Sequence, residues 1–451
     1  MSSALPIVGI LVMAVVAVLI KPRHRLLVAA ALAVPQIYLS VLPASLFQVW
    51  MLVVLVLSLV EGRRRGSLRS IEVPLALLAI VTLLYALISP NPGTAVLLCA
   101  QLLAFLAALR LLYAPGVSPV DWRRAAGLLA TGIVAQAALV IAFRLSPAME
   151  SAFLQGELGR ILIGPSASAL FTTDPNNVLD PDKAGGLFVN GNVASMFLGV
   201  AAFLCVAVAL RFSLRWPWWV AALSMVGVIA TGSKTGLVLA LLLPVATVAL
   251  LGVTGRWGPL AGALLLPLVA VVGIAAPPFL ASRFPALFAD LGGAVDQREP
   301  LWEAARQVIA DNAVFGLGFG GWSEYAIAAV GRAMPPHNLI FAAWIDTGMM
   351  GVVLVVVLLA SMTVLGVRAV AAASTVRVRA SAACAMVAVW WVAIHGMGDN
   401  TTIYGEMRTL MLVALALALL ADVLDAREPG ALAVRRRPES ASRARARALS
   451  R

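Results

Sequence analysis

One of the three histidines in this 451-residue chain, His337, lies in the stretch PPHN at the start of a long apolar run. A histidine side chain gains and loses a proton near neutral pH, so it can act as a general base toward a hydroxyl group. The two prolines before it restrict the local backbone, and Asn338 offers a side chain for a local hydrogen bond. A histidine that merely caps a membrane helix is the alternative interpretation of the same residues.

Basic residues form a second candidate group. Lys234 stands in ATGSKTGLVLA, residues 230–240, which predicts a turn between two apolar helices. A lysine beside the free N–H groups of a helix N-terminus suits a phosphate or another oxyanion. A lysine whose long side chain extends to the membrane interface is the alternative. A later polar segment adds four more cations: Arg283, Arg298, Arg306 and Arg332.

Asparagines form the third group, in KAGGLFVNGNVASMFLG, residues 183–199. Asn190 or Asn192 suits the N-cap of the following helix, and Gly191 suits a turn. No stretch predicts a metal site: DPNNVLDPDK lacks the glycine and the terminal glutamate of an EF-hand loop. The run GLGFGG is not a dinucleotide fingerprint, because no βαβ pattern surrounds it. We therefore expect neither a metal ion nor another cofactor.

A short amphipathic helix is predicted within residues 295–322, VDQREPLWEAARQVIADNAVFGLGFGGW. Pro300 suits its first turn, and the glycines at its end permit a tight return. Its polar face would lie toward water at the membrane interface. Apolar side chains recur at helical spacing: Leu301, Trp302, Ala305, Val308 and Ile309.

The elements that must position these residues are membrane helices. The chain is 62% hydrophobic and 12% charged, with a mean hydropathy of +0.98, whereas a soluble domain has about 25% charged residues. Its apolar runs have the length of bilayer-spanning helices, and the alternating strands of a membrane β-barrel are absent from the sequence pattern. We predict an all-α polytopic membrane protein with about 12–13 transmembrane helices. The runs are 4–20, 26–43, 45–60, 73–89, 94–112, 125–144, 187–210, 217–232, 235–252, 258–281, 338–366, 380–396 and 407–424.

The distribution of lysine and arginine predicts the orientation of the chain. Most of the 33 basic residues fall in alternate short loops and in the C-terminal segment, which places these parts in the cytoplasm. Two long connections, about 146–186 and about 282–336, then lie outside. We expect one transmembrane domain over residues 1–425 and a basic, disordered cytoplasmic tail over 426–451. Such a tail favours contact with the lipid bilayer rather than with nucleic acid.

The order of four motifs resembles a known family. GLFVNGN is followed by TGSKT, then by REPLW with NAVFGLGFG, and then by PPHN with DTGMMG. Over roughly 183–366 this series resembles the O-antigen ligase and Wzy-type polymerase superfamily. The resemblance implies a glycosyltransferase of the GT-C kind that takes a glycan from an undecaprenyl-diphosphate donor. The acceptor is a hydroxyl of a lipid or cell-envelope polymer, at the outer face of the bacterial cytoplasmic membrane. Transfer in this family is metal-independent and inverts the anomeric centre.

The resemblance also implies roles for individual residues. His337 corresponds to the proposed base, and Arg298 to an arginine that contacts the donor diphosphate. Lys234 stands where the family has a second basic residue in an SR-like turn, and lysine cannot make the bidentate contact of arginine. Gly191 departs from the usual proline. Substrate-binding or positioning roles are hypotheses for Asn338, Asn190, Asn192, Trp302, Arg306 and Arg332.

Two alternatives stay open from the sequence. A ligase and a repeat-unit polymerase differ in acceptor, so the motifs do not separate them. A secondary transporter is the alternative from another class, and it would carry ionisable residues or broken helices near the membrane midplane. The sequence instead concentrates its polar groups at one side of the membrane, which favours the transferase.

Overall fold

The structure is a computed structural model, and it is all-helical in the part of the chain that it describes. That part forms α-helices and one 3-10 turn, without a β-strand. The described residues are 4–39, 44–62, 66–171, 177–252, 264–265, 268, 283, 298–399 and 401–426. The predicted helix at 258–281 and the predicted tail therefore lie almost wholly outside the described residues.

The α-helices of the described part are numbered in chain order. They are α1 (Ala4–Leu19), α2 (Pro22–Ala33), α3 (Leu46–Glu61), α4 (Arg69–Tyr85), α5 (Pro92–Leu112), α6 (Pro119–Leu145), α7 (Pro147–Gln155), α8 (Glu157–Ile163), α9 (Pro165–Ala169), α10 (Gly191–Phe212), α11 (Trp216–Ala230), α12 (Lys234–Leu251), α13 (Glu299–Asp311), α14 (Ser323–Val330), α15 (Leu339–Ala372), α16 (Val376–His395) and α17 (Leu410–Asp425).

The prediction of a polytopic all-α membrane protein is confirmed. Six helices of the described part are long and apolar enough to cross a membrane, namely α5, α6, α10, α12, α15 and α16. Shorter apolar helices accompany them, among them α3 and α11. Each predicted apolar run other than 258–281 overlaps one of α1–α6, α10–α12 and α15–α17. The run 26–43 does so only in part, because α2 ends at Ala33.

Three helices form the centre of the bundle. Helix α17 is buried on every side from Leu410 to Val423, as expected for a helix that is apolar all round. It packs against α16 and α10, which are themselves largely buried. Gly199 of α10 lies so close to the Trp391 ring of α16 that an added Cβ would stand 2.1 Å from it. The glycine therefore permits this close helix contact.

Contacts between helix ends separate two poles of the bundle. At one pole Arg25 pairs with Glu61 at 2.6 Å, and Arg211 pairs with Asp422. All four residues lie in or beside the loops that the charge pattern assigns to the cytoplasm. The described parts of the two long connections lie at the other pole, and α7, α8 and α9 lie within the first of them. The candidate residues all lie at this second pole.

The second long connection contains the predicted amphipathic helix. Helix α13 buries Leu301, Ala305 and Val308, which confirms the predicted apolar face. These side chains pack against Trp322 and Ile345. The helix therefore rests on α15 just beyond the PPHN motif.

Helix α15 is not the continuous helix that its apolar run predicts. Gly348 leaves helical geometry with φ 60° and ψ −160°. The glycine-rich return occupies the gap, because Leu317 N donates to Ile345 O at 2.6 Å and Met349 N donates to Val314 O at 3.1 Å. An added Cβ on Gly348 would stand 2.2 Å from Val314 O. The motif DTGMMG thus marks a break at which a loop packs into the helix.

Candidate active site

The backbone around His337 is fixed on both sides. His337 adopts φ +48°, in the left-handed region that non-glycine residues rarely occupy. Trp302 Nε1 donates to Pro336 O at 3.1 Å, and Leu339 N donates to Gly396 O at 2.7 Å. Backbone strain of this kind persists where surrounding contacts over-determine it, and it concentrates at functional sites.

Asn338 fixes the start of α15. Its side-chain oxygen accepts from Ile340 N at 2.9 Å and from Phe341 N at 3.1 Å, and its amide nitrogen donates to Met397 O at 3.2 Å. Asn338 is therefore both the N-cap of α15 and a link to the loop after α16. These hydrogen bonds fix the backbone directly after His337.

A buried carboxylate stands behind His337. The His337 Nδ1 atom lies 3.4 Å from Asp399 Oδ1, and His395 Nε2 lies 3.7 Å from Asp399 Oδ2. Burial raises the pKa of the Asp399 carboxyl, but the hydrogen bond of His337 and the charges of the two nearby imidazoles outweigh burial and hold that pKa well below its usual range. Asp399 is therefore a charged group with almost no contact with solvent.

This arrangement suits a general base. A carboxylate at Nδ1 favours the imidazole tautomer that carries its hydrogen there, which leaves the lone pair on Nε2. The same carboxylate stabilises the imidazolium that forms when Nε2 accepts a proton. The distance of 3.4 Å is at the long end of hydrogen bonding.

Arg298 lies beside the same loop. Its Nη1 atom is 3.7 Å from the position of a Cβ on Gly398, the residue before Asp399. Its carbonyl accepts from Trp302 N at 2.9 Å in the first turn of α13. No ion pair neutralises its guanidinium within the described residues. The structure thus brings Arg298, Trp302, His337 and Asn338 together around the loop after α16.

Lys234 lies at a neighbouring part of the same pole. It is the first residue of α12, and Ser233 caps this helix by accepting from Gly236 N at 3.2 Å. Lys183 extends to the same turn, where its Nζ donates to Gly232 O at 2.5 Å. Burial, and next the charge of Lys234, lower the pKa of the Lys183 ammonium. Two cations, Lys183 and Lys234, therefore flank this turn, and the sequence pattern indicated only Lys234.

The GLFVNGN stretch is bound to this turn. Asn190 is the N-cap of α10, and its side chain accepts from Asn192 N at 2.8 Å. This confirms the predicted cap, whereas the prediction of a turn at Gly191 was wrong, because Gly191 is the first residue of the helix. An added Cβ on Gly191 would lie 2.9 Å from Thr231 O. The Asn190 side chain thus holds the loop, and Asn192 lies half-buried next to it.

A buried glutamate holds the preceding backbone. Glu150 of α7 is 2% exposed, and its Oε1 accepts from Gly185 N at 2.7 Å. Burial raises the pKa of this carboxyl to about 7, although hydrogen bonds from Gly185 and Gly186 oppose the rise. The stretch from Lys183 to Asn190 is therefore fixed by side chains from the first long connection.

Arg306 and Arg332 lie apart from His337. Arg306 is about half exposed on α13, where it pairs with Glu299 at 3.1 Å and with Glu303. Those hydrogen bonds raise the pKa of its guanidinium. Arg332 is exposed in the turn after α14. Among the described residues, no hydrogen bond or ion pair joins either arginine to the His337 cluster.

Comparison with known protein families supports the resemblance over part of the chain. Residues 219–356 match the family model described as O-antigen ligase. No curated protein matches the chain. The matched segment contains Lys234, Arg298 and His337, and it ends before Asp399. The resemblance predicted from the motifs is thereby confirmed. The match covers 138 of the 451 residues, and over that segment it supports a protein of the O-antigen ligase or polymerase type.

Proposed function

With the O-antigen ligase match over residues 219–356 as premise, we propose that the protein is an inverting, metal-independent glycosyltransferase of the GT-C kind. It moves a glycan from an undecaprenyl-diphosphate donor to a hydroxyl of a lipid or cell-envelope polymer. The reaction takes place at the outer face of the bacterial cytoplasmic membrane, and the C-terminal tail lies in the cytoplasm. The observation that carries the proposal is the buried Asp399 carboxylate behind His337, with the Arg298 guanidinium beside the same loop.

His337 is the general base of the proposed reaction. Its Nε2 atom accepts the proton of the acceptor hydroxyl while the hydroxyl oxygen bonds to the anomeric carbon of the donor glycan. The bond from that carbon to the diphosphate oxygen breaks, and its electron pair leaves with undecaprenyl diphosphate. Attack opposite the leaving group inverts the anomeric configuration. Asp399 stabilises the imidazolium formed in this step, and the proton leaves Nε2 afterwards.

Cations stabilise the leaving diphosphate. Arg298 offers the planar pair of N–H donors that matches a phosphate, and it has no ion pair among the described residues that would compete. Lys234 supplies a second positive charge at the start of α12, with Lys183 beside it. Charge that develops in the transition state is stabilised most by donors that are already in place. These cations make the proposed chemistry independent of a divalent metal.

The placement of the candidate residues at one pole of the bundle also fits this proposal. The single transmembrane domain, residues 1–425, presents the candidate residues at one pole, where a donor in the outer leaflet carries its diphosphate.

A repeat-unit polymerase would use the same residues with a different acceptor, so it is the second candidate function. Arg306, Arg332 and Asn192 would then contact the glycan or acceptor at the rim of the site.

The test is transfer by the full-length protein in proteoliposomes. The donor is the lipid-linked glycan extracted from cells that lack this protein, and a chelator is present throughout. We expect release of undecaprenyl diphosphate in equal amount to the glycan transferred, with the opposite anomeric configuration in the product by NMR. Movement of intact glycan-lipid across the membrane without cleavage would instead establish the transporter alternative. Retention of configuration would contradict the single displacement.

A further inference from the structure

Asp346 is an ionisable residue inside the membrane-spanning helix α15. Its side chain is half-buried, and none of the residues that the structure describes forms a hydrogen bond or ion pair with its carboxylate. An ionisable group within a membrane helix is costly, and it normally pairs with a partner or faces a cavity. The described contacts therefore do not account for an ionisable group at position 346.

The side chain lies between two cavities. One, of about 310 Å³, lies between α4, α5 and α15 and the loop after α16. The other, of about 290 Å³, lies under the turn of Pro335 and Pro336, the residues that precede His337. Ala342 and Asp346 are the residues that line both. The helical geometry of α15 is interrupted at Gly348, two residues after Asp346. Asp346 thus lines two partly open cavities, one of which lies beside the turn that precedes the candidate base.

The lining excludes some ligand classes. Neither cavity has a lysine or arginine among its lining residues as described, so a diphosphate would meet a carboxylate without a cation. A polyprenyl chain has no group that satisfies Asp346. A hard cation needs six or more oxygen ligands, whereas the cavity under the prolines offers only the side-chain oxygens of Asp346 and Ser323.

A neutral ligand with several hydroxyl groups fits the residues that line these cavities. Its hydroxyls donate to the Asp346 carboxylate in charge-assisted hydrogen bonds. Pro335, Pro336 and Trp322 supply the apolar walls against which a sugar ring packs. The larger cavity adds hydroxyl and amide groups from Thr82, Gln101, Thr347, Thr401, Thr402 and Tyr404, and a second carboxylate from Glu406, which pairs with Arg408 at 3.3 Å. Both cavities are at the small end of ligand pockets, which run from about 300 Å³.

We propose that Asp346 is a saccharide-binding residue, whose carboxylate accepts hydrogen bonds from sugar hydroxyls in the cavity under the Pro335–Pro336 turn. The inference rests on the proposed function, because the sugar belongs either to the transferred glycan or to a glycan acceptor. A sugar bound there lies against Pro336, the residue directly before His337. Asp346 then positions the glycan for transfer.

The test measures binding and transfer by the full-length protein in nanodiscs, with D346N as the variant. Two probes are compared: undecaprenyl diphosphate, and the glycan-bearing lipid extracted from cells that lack this protein. If the sugar is the donor's, D346N weakens binding of the glycan-bearing lipid by about tenfold or more, and it leaves undecaprenyl diphosphate binding unchanged. If the sugar is the acceptor's, both affinities stay unchanged and the KM for acceptor rises instead by a similar factor.

The matched control is D311N, which removes an exposed carboxylate of α13 that bonds only to Gln307. It should leave both affinities and the acceptor KM unchanged. Equal loss for both lipids in D346N would assign Asp346 to folding or to the diphosphate and overturn the proposal. No change in any of the three quantities would overturn it as well. Failure of the wild-type protein to bind the glycan-bearing lipid or to transfer would overturn the proposed function, and the inference with it.

A second measurement does not depend on the folding of D346N. Ser323 is exposed and lines the same cavity, whereas Cys99, Cys205 and Cys384 are all buried. A maleimide should therefore label S323C selectively. Saturating glycan-bearing lipid or acceptor should slow the labelling, and undecaprenyl diphosphate should not. A labelling rate that none of them changes, or that all of them change equally, would contradict a saccharide in this cavity.

Discussion

Replacing Asp399 by asparagine tests whether the buried carboxylate makes His337 an effective base. Asparagine keeps the shape of the side chain but removes the charge, and its amide can donate to Nδ1 and so favour the wrong imidazole tautomer. The two side chains are 3.4 Å apart. At an effective dielectric constant of about 20, unit charges at this distance attract by about 5 kcal/mol.

This attraction sets the expected magnitude. Each 1.36 kcal/mol is tenfold in rate, so the full value corresponds to more than about 10³-fold. His395 shares the carboxylate at 3.7 Å, so part of the attraction does not reach His337. We expect kcat to fall by about 10²–10³-fold, within the range of general-base catalysis.

The assay is the initial rate of glycan transfer in proteoliposomes at varied donor concentration. The donor KM should change little, because Arg298 and Lys234 keep their charges. D311N, with its exposed carboxylate, is the matched control and should retain the wild-type kcat. A wild-type kcat in folded D399N would refute the role of Asp399, and an equal rise of KM would indicate a displaced donor site instead.

Substitutions at three further residues, Arg298, Lys183 and Glu150, test other parts of the site. R298A should raise the donor KM more than it lowers kcat, and R298K should restore only part of the affinity, because lysine lacks the bidentate contact; an unchanged donor affinity by titration would contradict a diphosphate contact. K183M should weaken donor binding most at low salt, whereas unchanged binding would mean that Lys183 only holds the Gly232 carbonyl. Burial raises the pKa of Glu150 to about 7, so the folded state favours its protonated form. The stabilisation is present at low pH and is lost as the pH rises through about 7. The melting temperature of the wild type should therefore fall as the pH rises between about pH 5 and 8, and E150Q should remove that part of the fall. Equal slopes of melting temperature against pH in the two proteins would contradict this role of Glu150.

Local patterns in the sequence were sufficient for the helices and their caps. The apolar runs predict the membrane helices, and the spacing of Leu301, Ala305 and Val308 predicts the buried face of α13. Asn190 and Lys234 stand at helix starts as their local sequence predicts. These features depend on neighbours within a few residues, so periodicity and capping rules apply to them directly.

Contacts between distant segments were not predictable in this way. Asp399 meets His337 across 62 residues, and Lys183 meets Gly232 across 49. Packing of α15 on α16 creates the first contact, which neither helical periodicity nor capping rules predict. A histidine and an aspartate four residues apart after an apolar run were the available signal. The ion pairs of Arg306, by contrast, follow from the helical spacing of Glu299 and Glu303, and they were open to prediction.

The break in α15 also depends on tertiary structure. DTGMMG lies within one apolar run, and glycine within a membrane helix does not by itself break it. The return through Leu317 breaks the helix because it supplies donors and acceptors to the residues around Gly348. Asp346 becomes a cavity residue only through this insertion.

The central claim is that His337 is the base of a glycosyl transfer, and one comparison tests it most directly. H337A and H24A are each reconstituted with the lipid-linked glycan donor, and single-turnover transfer is measured. His24 is exposed at the opposite pole of the bundle, at the start of α2, so H24A controls for loss of a histidine. We predict that H337A binds donor but transfers no glycan, and that H24A transfers at the wild-type rate. Transfer by folded H337A at the wild-type rate would contradict the claim.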